Sequence, residues 1–251
     1  VRYFIHLSYL GTRFHGWQRQ PHSISIQEVI EQALSTYLKR PTSIMGCGRT
    51  DTGVHARSYY AHVDVDGPQE IKSMHRSVNA LSGNDIVIHR IFEVDDKIHA
   101  RFDAGSRTYQ YLLSTQPDPF LQGLQYVHLS SHDIDLQGLQ SCADVLMSYQ
   151  DFLPFTKTNS DTPHYKCDLQ LISWEQTSPT SYTLNITSNR FLRGMVRLIV
   201  GMCIQVSEGK VQLDDIRSAM DRQIPLVRSW SVPASGLYLA GVTYPGLGIE
   251  N

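Results

Sequence analysis

No cysteine in this sequence stands in a C-x-x-C pair or at zinc-ligand spacing from a histidine, since Cys47, Cys142, Cys167 and Cys203 are scattered. Neither a metal site nor a disulfide framework is expected, and a reducing, cytoplasmic setting fits this usage best. Long apolar runs are lacking as well. The opening VRYFIHLSYL is too short, and too soon followed by Arg and His, for a secretory or membrane segment, so no membrane association is expected. Nor is there an overall positive charge, because 22 Lys and Arg face 24 Asp and Glu. A nucleic-acid surface would have to come from charge placed locally. Two stretches qualify through what they lack: residues 1–27 hold Arg2, Arg13 and Arg19 without an acid, and residues 185–207 hold Arg190, Arg193 and Arg197, also without one.

With 251 residues, 41% of them hydrophobic, the chain can bury a core without staples. Val1, Tyr3, Ile5, Leu7 and Tyr9 alternate with Arg2, His6 and Ser8, the pattern of a half-buried strand. Ile26, Val29, Ile30, Ala33, Leu34, Tyr37 and Leu38 then follow helical spacing, with Ser25 and Glu28 as a capping box. Strands are expected near 43–47, 58–65 and 86–92, and a second helix near 71–81, which gives the order β-α-β-β-α-β. The same order recurs with a strand at 107–114, a helix carrying Leu136, Leu139, Ala143, Leu146 and Met147, strands near 167–174 and 181–187, a helix over 191–206 and a strand at 237–242. The expected class is α+β, two split-βαβ (ferredoxin-like, RRM-like) subdomains with antiparallel sheets, residues 1–103 and 104–251. Stretches 115–125 and 156–164 read as loops.

The loop GCGRTDTGVHA, residues 46–56, carries three glycines and one carboxylate between two expected strands. An isolated D-x-G usually marks a turn. This loop, however, is longer than a hairpin needs and sets Arg49 two positions before Asp51. A carboxylate on a Gly-rich loop beside guanidinium groups has the character of a nucleophile.

GRTDTGVHA resembles the catalytic loop of the TruA-type tRNA pseudouridine synthases, G-R-T-D-x-G-V-H. YLGTRFHGWQRQ, HARFDAGSRTYQY, DFLPF, FLRGMVRLIVG and ASGLYL follow the same family's pattern in order and over nearly the whole chain. The resemblance implies two α/β subdomains with sheets side by side and a catalytic cleft between them. It implies that Asp51 is the catalytic carboxylate, that Arg49 helps to displace the target base, and that Arg197 pairs with Asp51. Tyr109 would stack on the flipped uracil and Leu237 would form part of the pocket wall. It further implies isomerisation of uridine to pseudouridine at positions 38–40 of the tRNA anticodon stem and loop, no cofactor, and a homodimer. Residues 156–168, TKTNSDTPHYKCD, depart from the family's more basic pattern.

Arg190, Arg193 and Arg197 fall at i, i+3 and i+7, which on the helix expected over 191–206 forms one stripe opposite Leu192, Met195, Ile199, Met202 and Val206. A cationic stripe with no acid to pair with suits phosphate, so Arg190 and Arg193 are candidate substrate contacts. His55 is read as a turn histidine bonded to its own loop, and Tyr60 with His62 as sheet packing. Two other classes remain open on the residues alone. One is a non-catalytic tandem RNA-binding protein. The other is a glycoside or nucleoside hydrolase, which would need a second carboxylate that is not evident near the motif.

Overall fold

The computed structural model describes residues 1–157, 163–226 and 228–250, so part of the loop expected at 156–164 lies outside the described residues. The chain divides into two compact units, Val1–Gly105 with Tyr238–Asn251, and Ser106–Leu237.

In the first unit β1 (Arg2–Tyr9), α1 (Ile26–Leu38), β2 (Ile44–Gly46), β3 (His55–Asp64), α2 (Ile71–Ser82) and β4 (Ile86–Val94) follow in the expected order. Their sheet order is β4-β1-β3-β2 with antiparallel neighbours, the arrangement of a split-βαβ unit. Tyr3, Ile5, Leu7 and Tyr9 are buried, as the alternation predicts. Phe4 is buried too, although alternation would expose it. Its face is covered by Tyr244, whose ring meets it edge-on at 5.3 Å, and by Phe92 at 5.9 Å.

Helix α1 starts where Ser25 accepts the Glu28 N–H, but only half of the expected capping box forms, because the Glu28 carboxylate lies 3.6 Å from Arg19 instead. Glu31 on its buried face accepts the Ile44 N–H at 3.1 Å, which ties β2 to the helix. Helix α2 is capped by the Glu70 carboxylate, which accepts from Lys72 and Ser73.

The second unit contains β5 (Arg107–Ser114), β6 (Tyr126–Val127), α3 (Leu136–Leu146), β7 (Leu169–Ser178), β8 (Ser181–Ser188), α4 (Met195–Ser207) and α5 (Leu213–Arg222). Strands β5, β8 and β7 pair antiparallel in that order, and β6 joins the edge of β5 in parallel. Two elements are additional to the sequence reading. Helix α5 buries only Ile216, Ala219 and Met220 among charged neighbours, too narrow a stripe to stand out, and β6 is two residues long.

The last strand, β9 (Leu237–Val242), also differs from expectation. The sequence assigns it to residues 104–251, yet from Tyr238 onward it belongs with the first unit and runs parallel to β3, Tyr238 opposite His55 and Leu239 opposite Ala56. Two hydrogen bonds just beyond it hold it there: Gly105 N–H donates to Thr243 O, and the buried Tyr244 hydroxyl donates to Ala100 O. Among the described residues no helix is long and apolar enough to cross a membrane.

Candidate active site

The Asp51 loop joins β2 to β3, and the residues that shape it come from the segment after β1. Strand β1 delivers Tyr9, whose buried hydroxyl meets the Thr50 hydroxyl at 2.9 Å. Beyond it, Phe14 O accepts the Gly53 N–H at 3.4 Å, and Trp17 N–H donates to Thr50 O at 3.2 Å. Gly11 and Gly16 make this approach possible. A Cβ on Gly11 would stand 1.9 Å from Val54 O, and one on Gly16, which has φ 84°, 2.4 Å from Thr50 O. The Trp17 ring stacks on Tyr59 at 4.0 Å, and both are buried under the loop. Thus YLGTRFHGWQRQ and GRTDTGVHA, two motifs separated in sequence by residues 21–47, are bonded and packed against each other.

Within the loop, Asp51 O accepts the Val54 N–H at 3.1 Å across a turn whose third residue, Gly53, has φ 78°. The chain therefore reverses immediately after the carboxylate. Asp51 is half-buried, Thr50 buried and Arg49 exposed. The backbone is fixed on one side of Asp51 while Arg49 reaches outward. His55 is fully buried, its Nδ1 accepts the Gly11 N–H at 3.0 Å, and its ring stacks on Tyr238 at 4.6 Å. The Gly11 N–H ties it to the segment after β1. Arg57, on the strand leaving the loop, sets its guanidinium 4.9 Å from the centre of the Tyr238 ring.

Tyr109, Leu237, Arg190, Arg193 and Arg197 all lie in the second unit. Tyr109 is half-buried on β5, its ring edge-on to Phe191 at 5.2 Å, and Leu237 is buried at the start of β9. The expected arginine stripe does not form. Gly194, with φ 74°, breaks the chain's direction, so α4 begins at Met195 and both Arg190 and Arg193 precede it. Leu192 likewise precedes the helix, and α4 is buried almost all round, so it presents no cationic face. Arg193 is exposed, and Arg190 bonds through Nη1 to the His164 ring at 3.0 Å. Only Arg197 is helical.

A different stripe is built on α4, at residues 197, 201 and 205. Arg197 Nε–H donates to Val232 O at 2.6 Å, and Val232 N–H returns a bond to Arg197 O at 3.3 Å. A Cβ on Gly201 would lie 2.1 Å from Trp230 O. Gln205 Nε2 donates to Arg228 O at 2.9 Å. Alternate residues of one extended segment, Arg228, Trp230 and Val232, therefore dock on successive turns of the helix. The sequence carried a signal for this, a glycine four residues after Arg197 in an otherwise apolar helix, which the arginine spacing obscured.

The far side of the same segment is held by β5 and β6. Burial pushes the Tyr111 phenol well above its ordinary pKa, so it stays protonated and donates to Pro233 O at 2.9 Å. Trp230 packs 5.6 Å from the His128 ring and 6.2 Å from Tyr126. His128 is bonded through Nδ1 to the Tyr126 hydroxyl and through Nε2 to Glu208, both at 3.0 Å. Burial disfavours the charge of Glu208, but hydrogen bonds from Lys210, Ser130 and His128 outweigh it and hold the carboxyl at about 2. Among the described residues no group of three His, Cys, Asp or Glu could hold a metal ion.

Comparison with known proteins agrees with the motifs. A family model described as tRNA pseudouridine synthase matches residues 149–245. A tRNA pseudouridine synthase A of Bacteroides fragilis is 39% identical over 97% of this chain and 96% of its own length. The protein of the same name from Porphyromonas gingivalis is 40% identical over 98% of both chains. The one from Thermosynechococcus vestitus is 34% identical over 95% of this chain and 84% of its own.

Proposed function

This chain belongs to the tRNA pseudouridine synthase A family, and we propose from that membership that it isomerises uridine to pseudouridine in tRNA with Asp51 as the catalytic carboxylate. The observation that carries this reading is similarity extending over 97% of the chain and 96% of a relative so named. A non-catalytic tandem RNA-binding protein has no support from these relatives.

The reaction breaks the C1′–N1 glycosidic bond, turns the uracil and joins C1′ to C5. The C5 hydrogen is lost and N1 gains one, so composition does not change. Such a step needs a carboxylate at the ribose or the base, a surface that keeps the detached uracil, and exclusion of water. Asp51 supplies the first on a backbone anchored to the core on one side. Tyr109, half-buried with an aromatic face, suits the second, and Leu237 adds an apolar wall. Arg49, exposed two residues from Asp51, has the reach to fill the gap a displaced base leaves. Arg197, its guanidinium held through Nε by Val232 O, is the residue we propose as the cation that keeps Asp51 anionic.

Uridines 38–40 of the anticodon stem and loop are the sites we propose, the homodimer is the assembly, and the cytoplasm is the compartment. Exposed Arg193 and half-buried Arg190 would hold phosphates of the tRNA. The test is incubation with unmodified tRNA followed by nucleoside analysis. Pseudouridine at 38–40 is expected, whereas free uracil with an abasic site would indicate a hydrolase, and unchanged RNA a binder.

A further inference from the structure

The stripe Arg197, Gly201 and Gln205 on α4 raises a question the catalytic reading does not answer, which is why a helix otherwise built of apolar residues keeps a glycine and an amide on one line with the arginine. Each of the two meets the backbone of the segment that holds Arg197. Gly201 gives room for Trp230 O, which a single methyl would meet at 2.1 Å, and Gln205 takes Arg228 O at 2.9 Å. Two residues further along, Val232 O accepts Arg197 Nε–H at 2.6 Å.

We propose that Gly201 and Gln205 are positioning residues for Arg197, holding the Arg228–Val232 segment where the Val232 carbonyl fixes the guanidinium plane. This rests on the reading that Arg197 serves the chemical step. A backbone carbonyl can orient an arginine only as well as the backbone itself is held. Here it is clamped from both sides, by the α4 stripe and by the Tyr111 hydroxyl on Pro233 O with the His128 and Tyr126 rings against Trp230. The segment cannot slide along the helix without losing three contacts together. Nor can it move outward without displacing buried rings. Gly201 is the point at which the register is set, since Trp230 O has no other way to come so near the helix axis.

The test uses Gly201→Ala, Gln205→Leu and Arg197→Ala, each alone, and the first two again in the Arg197→Ala background. tRNA affinity and the single-turnover rate at saturating tRNA are read for every variant, and the NMR signal of the Arg197 Nε–H, in protein labelled with nitrogen-15 arginine, for the two variants that keep Arg197. A shift of about 1 Å in a positioned group costs about 100-fold in rate. Gly201→Ala is therefore expected to slow the chemical step by up to about 100-fold, and Gln205→Leu by less, with parental tRNA affinity and a perturbed Nε–H signal. In the Arg197→Ala background neither should slow the step further, since both act through that side chain. An unperturbed Nε–H signal, a parental rate, or losses that simply multiply in the Arg197→Ala background overturns the proposal. If Gly201→Ala does not fold, Gln205→Leu carries the test alone, because it removes the donor at similar volume. A parental rate in Arg197→Ala itself would instead overturn the catalytic reading of that residue, an outcome separate from the others.

Discussion

The hydroxyls of Tyr9 and Thr50 meet 2.9 Å apart in the core, one residue before Asp51. This bond ties the end of β1 to the loop that carries the carboxylate. Tyr9→Phe leaves the Thr50 hydroxyl buried without it, which should lower stability by about 1–2 kcal/mol. Urea unfolding of both proteins checks the figure. Single-turnover rates should also fall, since the loop loses an anchor beside Asp51, while tRNA affinity stays parental. A variant as active and as stable as the parent would show that the Trp17 and Phe14 contacts suffice.

Asp51→Asn should fold and bind tRNA as the parent does but form no detectable pseudouridine, because an amide of the same shape is not a nucleophile. Filter binding paired with nucleoside analysis reads both quantities. Activity within about tenfold of the parent would assign the chemistry to another group.

Tyr109 is expected to act through its face. Tyr109→Phe should keep tRNA affinity, whereas Tyr109→Ala should lose about 1–3 kcal/mol of base stacking. Should the phenol also move a proton, the Phe variant will bind normally and turn over slowly. Equal activity of the Ala variant would leave Tyr109 as a sheet residue packed on Phe191.

The three arginines divide by role, and the helix boundary sharpens the division. Arg193→Ala and Arg190→Ala should each flatten the slope of log affinity against log salt by about 1, with near-normal turnover at saturation. Arg197→Ala should leave the slope unchanged and slow the chemical step. A salt titration for all three variants separates these outcomes. A change of slope with a spared rate in Arg197→Ala would make it one more phosphate contact.

Acid should loosen the protein in two stages. His6 on β1 and His62 on β3 are placed where burial, with His89 and Arg90 near one and Arg2 and His99 near the other, pushes both imidazoles from 6.5 to about 4. The folded form binds fewer protons than the unfolded one in this interval, so stability rises with pH there and falls as pH drops from 6.5 toward 4. Glu208 contributes the second stage. Its folded value of about 2 lies below the ordinary 4.5, so its contribution is complete above 4.5 and is lost as pH falls through that range toward 2. Denaturant midpoints from pH 7 to 3 for the parent, His6→Gln and Glu208→Gln resolve the stages. Unchanged pH profiles in both variants would contradict these assignments.

The elements with strong periodicity were legible in the sequence: β1 through Tyr3, Ile5, Leu7 and Tyr9, and α1 through its apolar stripe. The start of α4 was not. Arg190, Arg193 and Arg197 keep helical spacing by coincidence, and nothing in spacing reveals that Gly194 adopts a left-handed conformation which ends the regularity there. Pairing of β9 with β3 was equally hidden, because strand partners far apart in sequence leave no local periodicity. The strap of Gly11 to Trp17 could be recognised as a motif, but its purpose appears only when Gly11 and Gly16 are seen against Val54 O and Thr50 O.

That distant pairing has a consequence for how the chain is made. The first unit has its β1, β3 and β4 once residue 94 has emerged from the ribosome, yet the segment Tyr238–Val242 that pairs with β3 at His55 and Ala56 is synthesised only after the whole second unit. Until then the ring of His55 lacks Tyr238 beside it, and Phe4 lacks Tyr244. An unpaired strand edge and an uncovered aromatic face recruit other chains readily. Closing a loop of such length is also slow compared with local folding. The first unit is therefore exposed to aggregation until the segment from Tyr238 has been made, and that segment acts as its fastener.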